Sequence, residues 1–243
     1  MRRILLALCL AFAAAVVHGQ DAPPKAQRIL FIGNSLTAAT DIPARLAKLA
    51  KVMGKNVAVE SVTVNGFSLE DHWRDGRALA AIRKGWDIVV LQQGTSSQPD
   101  RREQLIDYAR RCDREIRAAG ARPALYMIWP LSDRPRDFPA VIESYRAAAR
   151  AVDGTLLPAG EAWLRVMSKD KRARLYGDGI HPSALGSDLT VLTIYLTLFP
   201  AGPTEFDEKY VAKISGELGI DASRRDLYFD AATRAIDEPV SLK

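Results

Sequence analysis

Three residues, Ser35, Asp178 and His181, have the side chains that nucleophilic catalysis requires. Ser35 lies in LFIGNSLT, directly after an apolar run typical of a buried strand. A serine hydroxyl becomes a strong nucleophile when a base takes its proton, and a carboxylate usually orients that base. His181 lies in YGDGIHPSALG, where one turn can bring Asp178 to one ring nitrogen while the other nitrogen faces outward. The residue types therefore indicate a Ser-His-Asp triad.

Simpler roles for the same residues remain open at this point. Ser35 can be a helix cap, because serine is common at that position. His181 can serve to order the loop before Pro182. The long separation of Ser35 and His181 along the chain does not exclude a triad, since triads are defined by geometry.

Strand-like and helix-like segments alternate from residue 27 onward. Apolar runs bounded by turn residues predict strands at 28–33, 56–64, 87–93, 122–129 and 154–158. Apolar residues at helical spacing predict helices at 42–53, 68–85 (broken near Gly76), 99–119, 137–152, 160–168, 187–198, 206–218 and 224–236. Pro99, Asp100 and Glu103 predict a capping-box start for the helix at 99–119.

This order of elements predicts an α/β fold, a three-layer α/β/α sandwich around a mostly parallel, five-stranded sheet. In such sheets, function gathers beyond the carboxyl ends of the strands. Four loops are expected at that edge, at 33–37, 65–66, 92–97 and 129–133.

Four blocks, FIGNSLT, VNGFSL, DIVVLQQGTSS and DGIHPS, together resemble those of the SGNH/GDSL esterase and lipase superfamily. The resemblance runs from the first strand to the last candidate loop, and it implies a flavodoxin-like SGNH hydrolase fold. It also implies that Ser35 is the nucleophile, that Asp178 and His181 complete the triad, and that the backbone N–H groups of Ser35 and Gly66 bind the oxyanion.

The third block departs from the family pattern, Gly-x-Asn-Asp, in which the Asn side chain donates to the oxyanion. In QQGTSS, Gly94 matches the glycine, and Ser96 then stands where Asn is expected. The Ser96 hydroxyl, or an amide of Gln93 or Gln92, can replace the Asn donor; without a replacement, the enzyme is slow or the chain has lost catalysis. Losing one such donor costs about 10²–10³ in turnover, so the substitution matters.

Three further residues are candidates for lining a substrate site: Asn34, His72 and Trp129. For Trp129, a core role is the main expectation, and a stacking wall for a sugar or acyl group is the alternative. His72 is expected to be structural or substrate-lining. We predict neither a metal nor a cofactor, because Asp71 and His72 lack a third ligand at suitable spacing.

Residues 1–19 have the layout of a secretory signal peptide, with Arg2 and Arg3 before an apolar run from Ile4 to Val17. We expect cleavage after Gly19, a linker at 20–26 and a hydrolase-like domain at 27–243. The protein is then periplasmic or secreted, without stable membrane insertion. Cleavage would remove Cys9 and leave Cys112, which the helical pattern predicts to be a buried, inert thiol.

The net charge and the pattern of charged residues limit the kinds of partner that we expect. The net charge of +5 falls to +3 when the two leader arginines are removed, and the Arg-rich segment 101–117 interleaves acids with its bases, so nucleic-acid binding is not predicted. We expect an exported esterase acting on an O-acyl group, short-chain or acetyl, of a small-molecule or polysaccharide ester. A lipid acyl esterase and a non-catalytic carbohydrate-binding or scaffold protein are the alternatives. No sequence feature assigns an oligomeric state.

Overall fold

The computed structural model describes residues 25–202 and 205–242. Its centre is a five-stranded, all-parallel sheet, in which the strands lie in the order β2-β1-β3-β4-β5. The strands are β1 (Gln27–Gly33), β2 (Val57–Thr63), β3 (Ile88–Leu91), β4 (Arg122–Tyr126) and β5 (Thr155–Leu157). The α/β fold class and the five parallel strands that the sequence predicts are therefore confirmed.

The burial of each strand follows its place in the sheet. All four residues of β3 and the last five of β1 are buried, as expected for central strands covered on both faces. β2 lies at an edge, and several of its side chains are exposed. The near-continuous apolar runs of β1 and β3 thus reflect burial on both faces.

Helices cover the two faces of the sheet, which makes the three layers. Within the described residues they are α1 (Ser35–Ala38), α2 (Ile42–Val52), α3 (Leu69–Asp75), α4 (Arg77–Ile82), α5 (Pro99–Ala118), α6 (Phe138–Ala151), α7 (Ala159–Lys169), α8 (Ala184–Leu198), α9 (Glu208–Leu218) and α10 (Ala222–Asp237). The predicted break near Gly76 is confirmed: this glycine has φ +83° and separates α3 from α4. The single-turn helix α1 was not predicted.

The predicted capping box of α5 is wrong. Gln98 occupies the N-cap position without a side-chain hydrogen bond, and Asp100 lies inside the first turn. A capping box forms instead at α3, where the Ser68 hydroxyl accepts from the Asp71 N–H (3.3 Å) and the Asp71 carboxylate accepts from the Ser68 N–H (2.8 Å). This box orders the chain beside the sheet edge.

Residues 1–19, which contain the expected leader, and most of the linker at 20–26 lie outside the described residues. Among the described residues, no helix is long and apolar enough to cross a bilayer. Cys112 is buried in α5 as predicted, and burial raises the pKa of its thiol to about 12.

Candidate active site

Ser35 lies at the carboxyl edge of the sheet, two residues beyond the end of β1. Asn34 caps α1: its side-chain oxygen accepts a hydrogen bond from the Leu36 N–H (3.0 Å), and its side-chain amide donates to the Phe67 carbonyl (3.0 Å). The turn leaves Ser35 half-buried, with Oγ 2.9 Å from Nε2 of His181. β1 ends at Gly33, and the turn that follows places the Ser35 hydroxyl at the carboxyl edge of the sheet.

His181 lies between Ser35 and Asp178. Its Nδ1 is 2.7 Å from Oδ2 of Asp178, and the other carboxylate oxygen accepts from the backbone N–H groups of Ile180 (3.0 Å) and His181 (2.7 Å). The His181 side chain, followed by these backbone donors, holds the pKa of Asp178 well below its usual range. An ionised Asp178 accepts a hydrogen bond from the Nδ1–H of His181, which leaves the Nε2 lone pair of His181 for the serine hydroxyl.

A short hairpin at residues 175–183, the His181 hairpin, carries Asp178 and His181. It is closed by hydrogen bonds from the Gly177 N–H to the His181 carbonyl (2.8 Å) and from the Ser183 N–H to the Leu175 carbonyl (2.8 Å). Gly179, at φ +89°, makes the tight turn between Asp178 and His181.

The segment that follows β4 is joined to the His181 hairpin by two hydrogen bonds. The Trp129 indole N–H donates to the Ile180 carbonyl (3.1 Å), and the Tyr176 hydroxyl donates to the Pro130 carbonyl (2.7 Å). Trp129 is 2% exposed and stacks on Trp163, with ring centroids 3.5 Å apart. Trp129 is therefore a core residue, and the alternative of a substrate-stacking wall is wrong.

The two expected backbone donors of the oxyanion hole are free of protein acceptors. Among the described residues, neither the Ser35 N–H nor the Gly66 N–H makes a hydrogen bond. Gly66 has φ +76°, and no atom lies within 4 Å of the place where a Cβ would stand. Both donors can therefore turn toward a ligand at the sheet edge.

The third block presents an amide to the cleft. The Gln93 side-chain oxygen accepts from the Leu69 N–H (3.0 Å), and this bond fixes which end of the amide is nitrogen. One Nε2 hydrogen goes to Ser96 Oγ (2.9 Å), so the second remains unassigned. The Ser96 hydroxyl itself donates to the Gly94 carbonyl (3.2 Å). Of Gln93 and Ser96, Gln93 has the available donor.

Gln92 serves the framework of the site. Its side-chain oxygen accepts from the Asn34 N–H (2.9 Å) and from the Thr37 hydroxyl (2.7 Å). Its amide nitrogen donates to the Asn34 side chain (3.0 Å) and to the Gln93 carbonyl (2.6 Å). These bonds use both amide hydrogens of Gln92, which leaves none for a substrate.

His72 is 1% exposed and does not line the cleft, so its structural reading holds and its substrate-lining alternative is wrong. Its Nε2 lies 2.8 Å from the Gly33 carbonyl oxygen, and burial lowers the pKa of its imidazole. Neutral His72 therefore donates to the last carbonyl of β1. Asn34 borders the cleft, but capping and Gln92 occupy its side chain.

A cleft of about 420 Å³ opens beside Ser35, with mixed lining. Its apolar side chains are Leu36, Phe67, Leu131 and Ile180, and its polar lining includes Ser35, Gly66, Ser68, Gln93, Thr95, Ser96, Arg101 and Gln104. Ile180 is 46% exposed, which is unusual for an isoleucine. Sequence reasoning missed Ile180 and Leu131, although an apolar residue between Asp178 and His181 was a usable signal.

Within the parts of the chain that the structure describes, no group of three His, Cys, Asp or Glu side chains is arranged to hold a metal ion. Ser35, His181 and Asp178 together offer the groups that nucleophilic chemistry requires: one nucleophile, one base and one orienting carboxylate, with N–H donors nearby.

Solved structures resemble this chain, whereas no protein-family model and no curated protein matches its sequence. A protein of Slackia heliotrinireducens, provisionally named an SGNH hydrolase, is 26% identical with a TM-score of 0.62, over 72% of this chain and 100% of its own. A DUF4886 family protein from Bacteroides uniformis is 18% identical with a TM-score of 0.72, over 90% and 98%. An acetylxylan esterase from Geobacillus stearothermophilus, in a catalytic mutant form, is 14% identical with a TM-score of 0.57, over 72% and 95%.

The likenesses agree with the five-stranded, all-parallel sheet. The chain has the fold of the SGNH/GDSL hydrolase superfamily.

Proposed function

We propose that the protein is a serine esterase that works through an acyl-enzyme. Ser35 Oγ attacks the ester carbonyl carbon while its proton passes to His181 Nε2, and the carbonyl oxygen becomes an oxyanion. The tetrahedral intermediate collapses, and the alcohol leaves with the proton from His181. Water, deprotonated by His181, then attacks the acyl carbon; the bond to Ser35 Oγ breaks, His181 returns the proton to Ser35, and the acid leaves. The observation that carries this proposal is the aligned contact of 2.9 Å from Ser35 to His181 and 2.7 Å from His181 to Asp178.

The remaining groups stabilise charge during these steps. Asp178 keeps His181 in the correct tautomer and favours the imidazolium that forms. The N–H groups of Ser35 and Gly66 donate to the oxyanion, and Gln93 Nε2 takes the place of the third-block Asn. All three donors belong to loops at the carboxyl edge of the sheet, as electrostatic stabilisation of an oxyanion requires.

The proposed substrate is an O-acyl ester, acetyl or short-chain, on a carbohydrate. Support comes from the polar lining of the cleft and from the fold that this chain shares with an acetylxylan esterase. A second candidate is a longer or lipid acyl ester, which the apolar residues Leu36, Phe67, Leu131 and Ile180 favour.

The test is turnover of p-nitrophenyl esters from acetate to octanoate by the wild type, Ser35→Ala, His181→Ala and Asp178→Asn. We expect activity in the wild type and losses of about 10³-fold or more in the Ser35 and His181 variants. Acetate preference supports the carbohydrate-acetyl substrate, and octanoate preference supports the second candidate. Full activity in Ser35→Ala would sink the mechanism. No turnover at any chain length, without covalent labelling of Ser35, would favour a non-catalytic binding protein.

Export is part of the proposal and depends on the pattern at residues 1–19. Expression of the full chain in a bacterium, followed by amino-terminal sequencing, tests it. We expect the secreted or periplasmic product to begin at Gln20, and an uncleaved chain in the cytosol would contradict export.

A further inference from the structure

The proposed mechanism leaves one buried histidine unused. His72 is 1% exposed, within α3, and its Nε2 donates to the Gly33 carbonyl over 2.8 Å. Its Nδ1 is buried without a hydrogen-bond partner among the described residues. A buried polar atom without a partner destabilises the fold by about 1–3 kcal/mol, so packing alone does not explain a histidine here.

The carbonyl that His72 binds belongs to the peptide unit that leads into the nucleophile. The Gly33 oxygen also accepts from the Val64 N–H (3.1 Å), and the Asn34 N–H at the other end of the same peptide donates to Gln92 (2.9 Å). Bonds at both ends fix the plane of this peptide. That plane, together with the φ of −124° and ψ of −156° at Asn34, sets the direction of the next N–H, which is the Ser35 oxyanion donor.

His72 also contacts the loop that carries the second donor. Its ring packs edge-on against Phe67, with ring centroids 5.2 Å apart, and Phe67 directly follows Gly66. The Phe67 carbonyl in turn accepts from the Asn34 side chain (3.0 Å). One imidazole therefore touches the backbone before Ser35 and the side chain after Gly66.

We infer that His72 is a positioning residue that sets the spacing and direction of the two backbone N–H groups of the oxyanion hole. The inference rests on the proposed esterase function. His72 acts through Gly33 and Phe67 and does not touch the substrate. A misplacement of about 1 Å at a reacting centre can cost about 10²-fold in rate. Loss of the His72 contact with Gly33, although it lies outside the reacting centre, is therefore expected to lower kcat.

Three variants of His72 distinguish the effect of its N–H donor from the effect of its side-chain volume. His72→Gln places an amide N–H near the position of Nε2 and keeps the bond to Gly33, whereas His72→Asn is as polar but too short. His72→Leu keeps apolar bulk and has no donor. With p-nitrophenyl acetate we expect Asn and Leu to lower kcat by about 10–100-fold with KM changed less than about threefold, and Gln to recover most of kcat.

Inhibition by a trifluoromethyl ketone distinguishes a positioning role from a purely structural one, because a purely structural role would leave the inhibition constant unchanged. Its adduct with Ser35 carries an oxyanion in the hole, so its inhibition constant should rise in proportion to the fall in kcat/KM across the three variants. Val141→Ala is the matched control, because Val141 is fully buried in α6 and does not line the cleft. We expect this control to lower Tm while kcat and ketone affinity stay at the wild-type values.

Each outcome decides the matter. Wild-type kcat in His72→Asn, equal losses in the Asn and Gln variants, or ketone affinity unrelated to kcat/KM would overturn the positioning role and leave the esterase proposal intact. If His72→Leu fails to fold, the Asn and Gln pair still decides. An inert wild type would refute the esterase function and, with it, this inference.

Discussion

Replacing Gln93 by leucine is the sharpest test of how the altered third block works. Leucine keeps much of the volume and removes a cleft-lining amide whose second Nε2 hydrogen has no acceptor among the described residues. Loss of one oxyanion donor is worth about 2.7–4 kcal/mol in the transition state, so kcat should fall about 10²–10³-fold with KM little changed.

The same substitution has a separate, predictable effect on stability. The Leu69 N–H loses its acceptor in Gln93→Leu and stays buried, because Leu69 is fully inaccessible to solvent. An unsatisfied buried N–H costs about 1–3 kcal/mol in the free energy of unfolding. Rates must therefore be measured well below Tm and divided by the folded fraction obtained from a denaturation curve.

Ser96→Ala is the matched comparison within the block. The Ser96 hydroxyl donates to the Gly94 carbonyl, and Ser96 already has φ +52°, which alanine must adopt at similar cost. We expect kcat for p-nitrophenyl acetate to fall by less than about tenfold. The reverse pattern, a loss of about 10²-fold in Ser96→Ala and nearly full activity in Gln93→Leu, would refute the assignment of the donor.

Three further predictions concern Ile180 in the cleft, Gly33 at the end of β1 and the buried thiol of Cys112. Ile180→Ala should lower kcat/KM for p-nitrophenyl octanoate about 3–10-fold and leave kcat/KM for the acetate within about twofold, because the cleft loses apolar contact with the longer acyl chain. Equal effects on the two esters would contradict this role of Ile180. Gly33→Ala should destabilise by about 1–3 kcal/mol in urea unfolding, since its Cβ would lie 2.4 Å from Gln92 Oε1, whereas Gly94→Ala meets nothing within 4 Å and should be neutral. Native Cys112 should resist a thiol reagent near pH 8 and react once urea unfolds the chain, because burial raises its thiol pKa to about 12; fast native labelling would contradict its burial.

Local patterns were enough to predict the sheet and the break between α3 and α4. The central strands β1 and β3 are apolar runs that end in turn residues, and Gly76 can adopt the left-handed conformation that separates the two helices. The positions of Ser35, Asp178 and His181 follow from the same rule, since each comes at a strand end or in a Gly-rich loop.

Partners distant in sequence decide what the local pattern cannot. Gln92 and Gln93 are adjacent and chemically identical, yet Gln92 bonds Asn34 while Gln93 bonds Leu69. Nothing in QQGTSS distinguishes them, because the choice depends on which loops the sheet brings together. The α5 capping box is wrong for a related reason: the Asp100 pattern is present, but the N-cap of the helix is Gln98, which places Asp100 inside the first turn.

The central claim is that Ser35 is an activated nucleophile, and covalent labelling tests it most directly. The purified wild type is treated with a fluorophosphonate, its intact mass is measured, and the labelled peptide is sequenced, with Ser35→Ala and His181→Ala alongside. The account predicts a single adduct on Ser35 in the wild type, none in Ser35→Ala and strongly slowed labelling in His181→Ala. An unlabelled wild type, or an adduct that persists in Ser35→Ala, would contradict it.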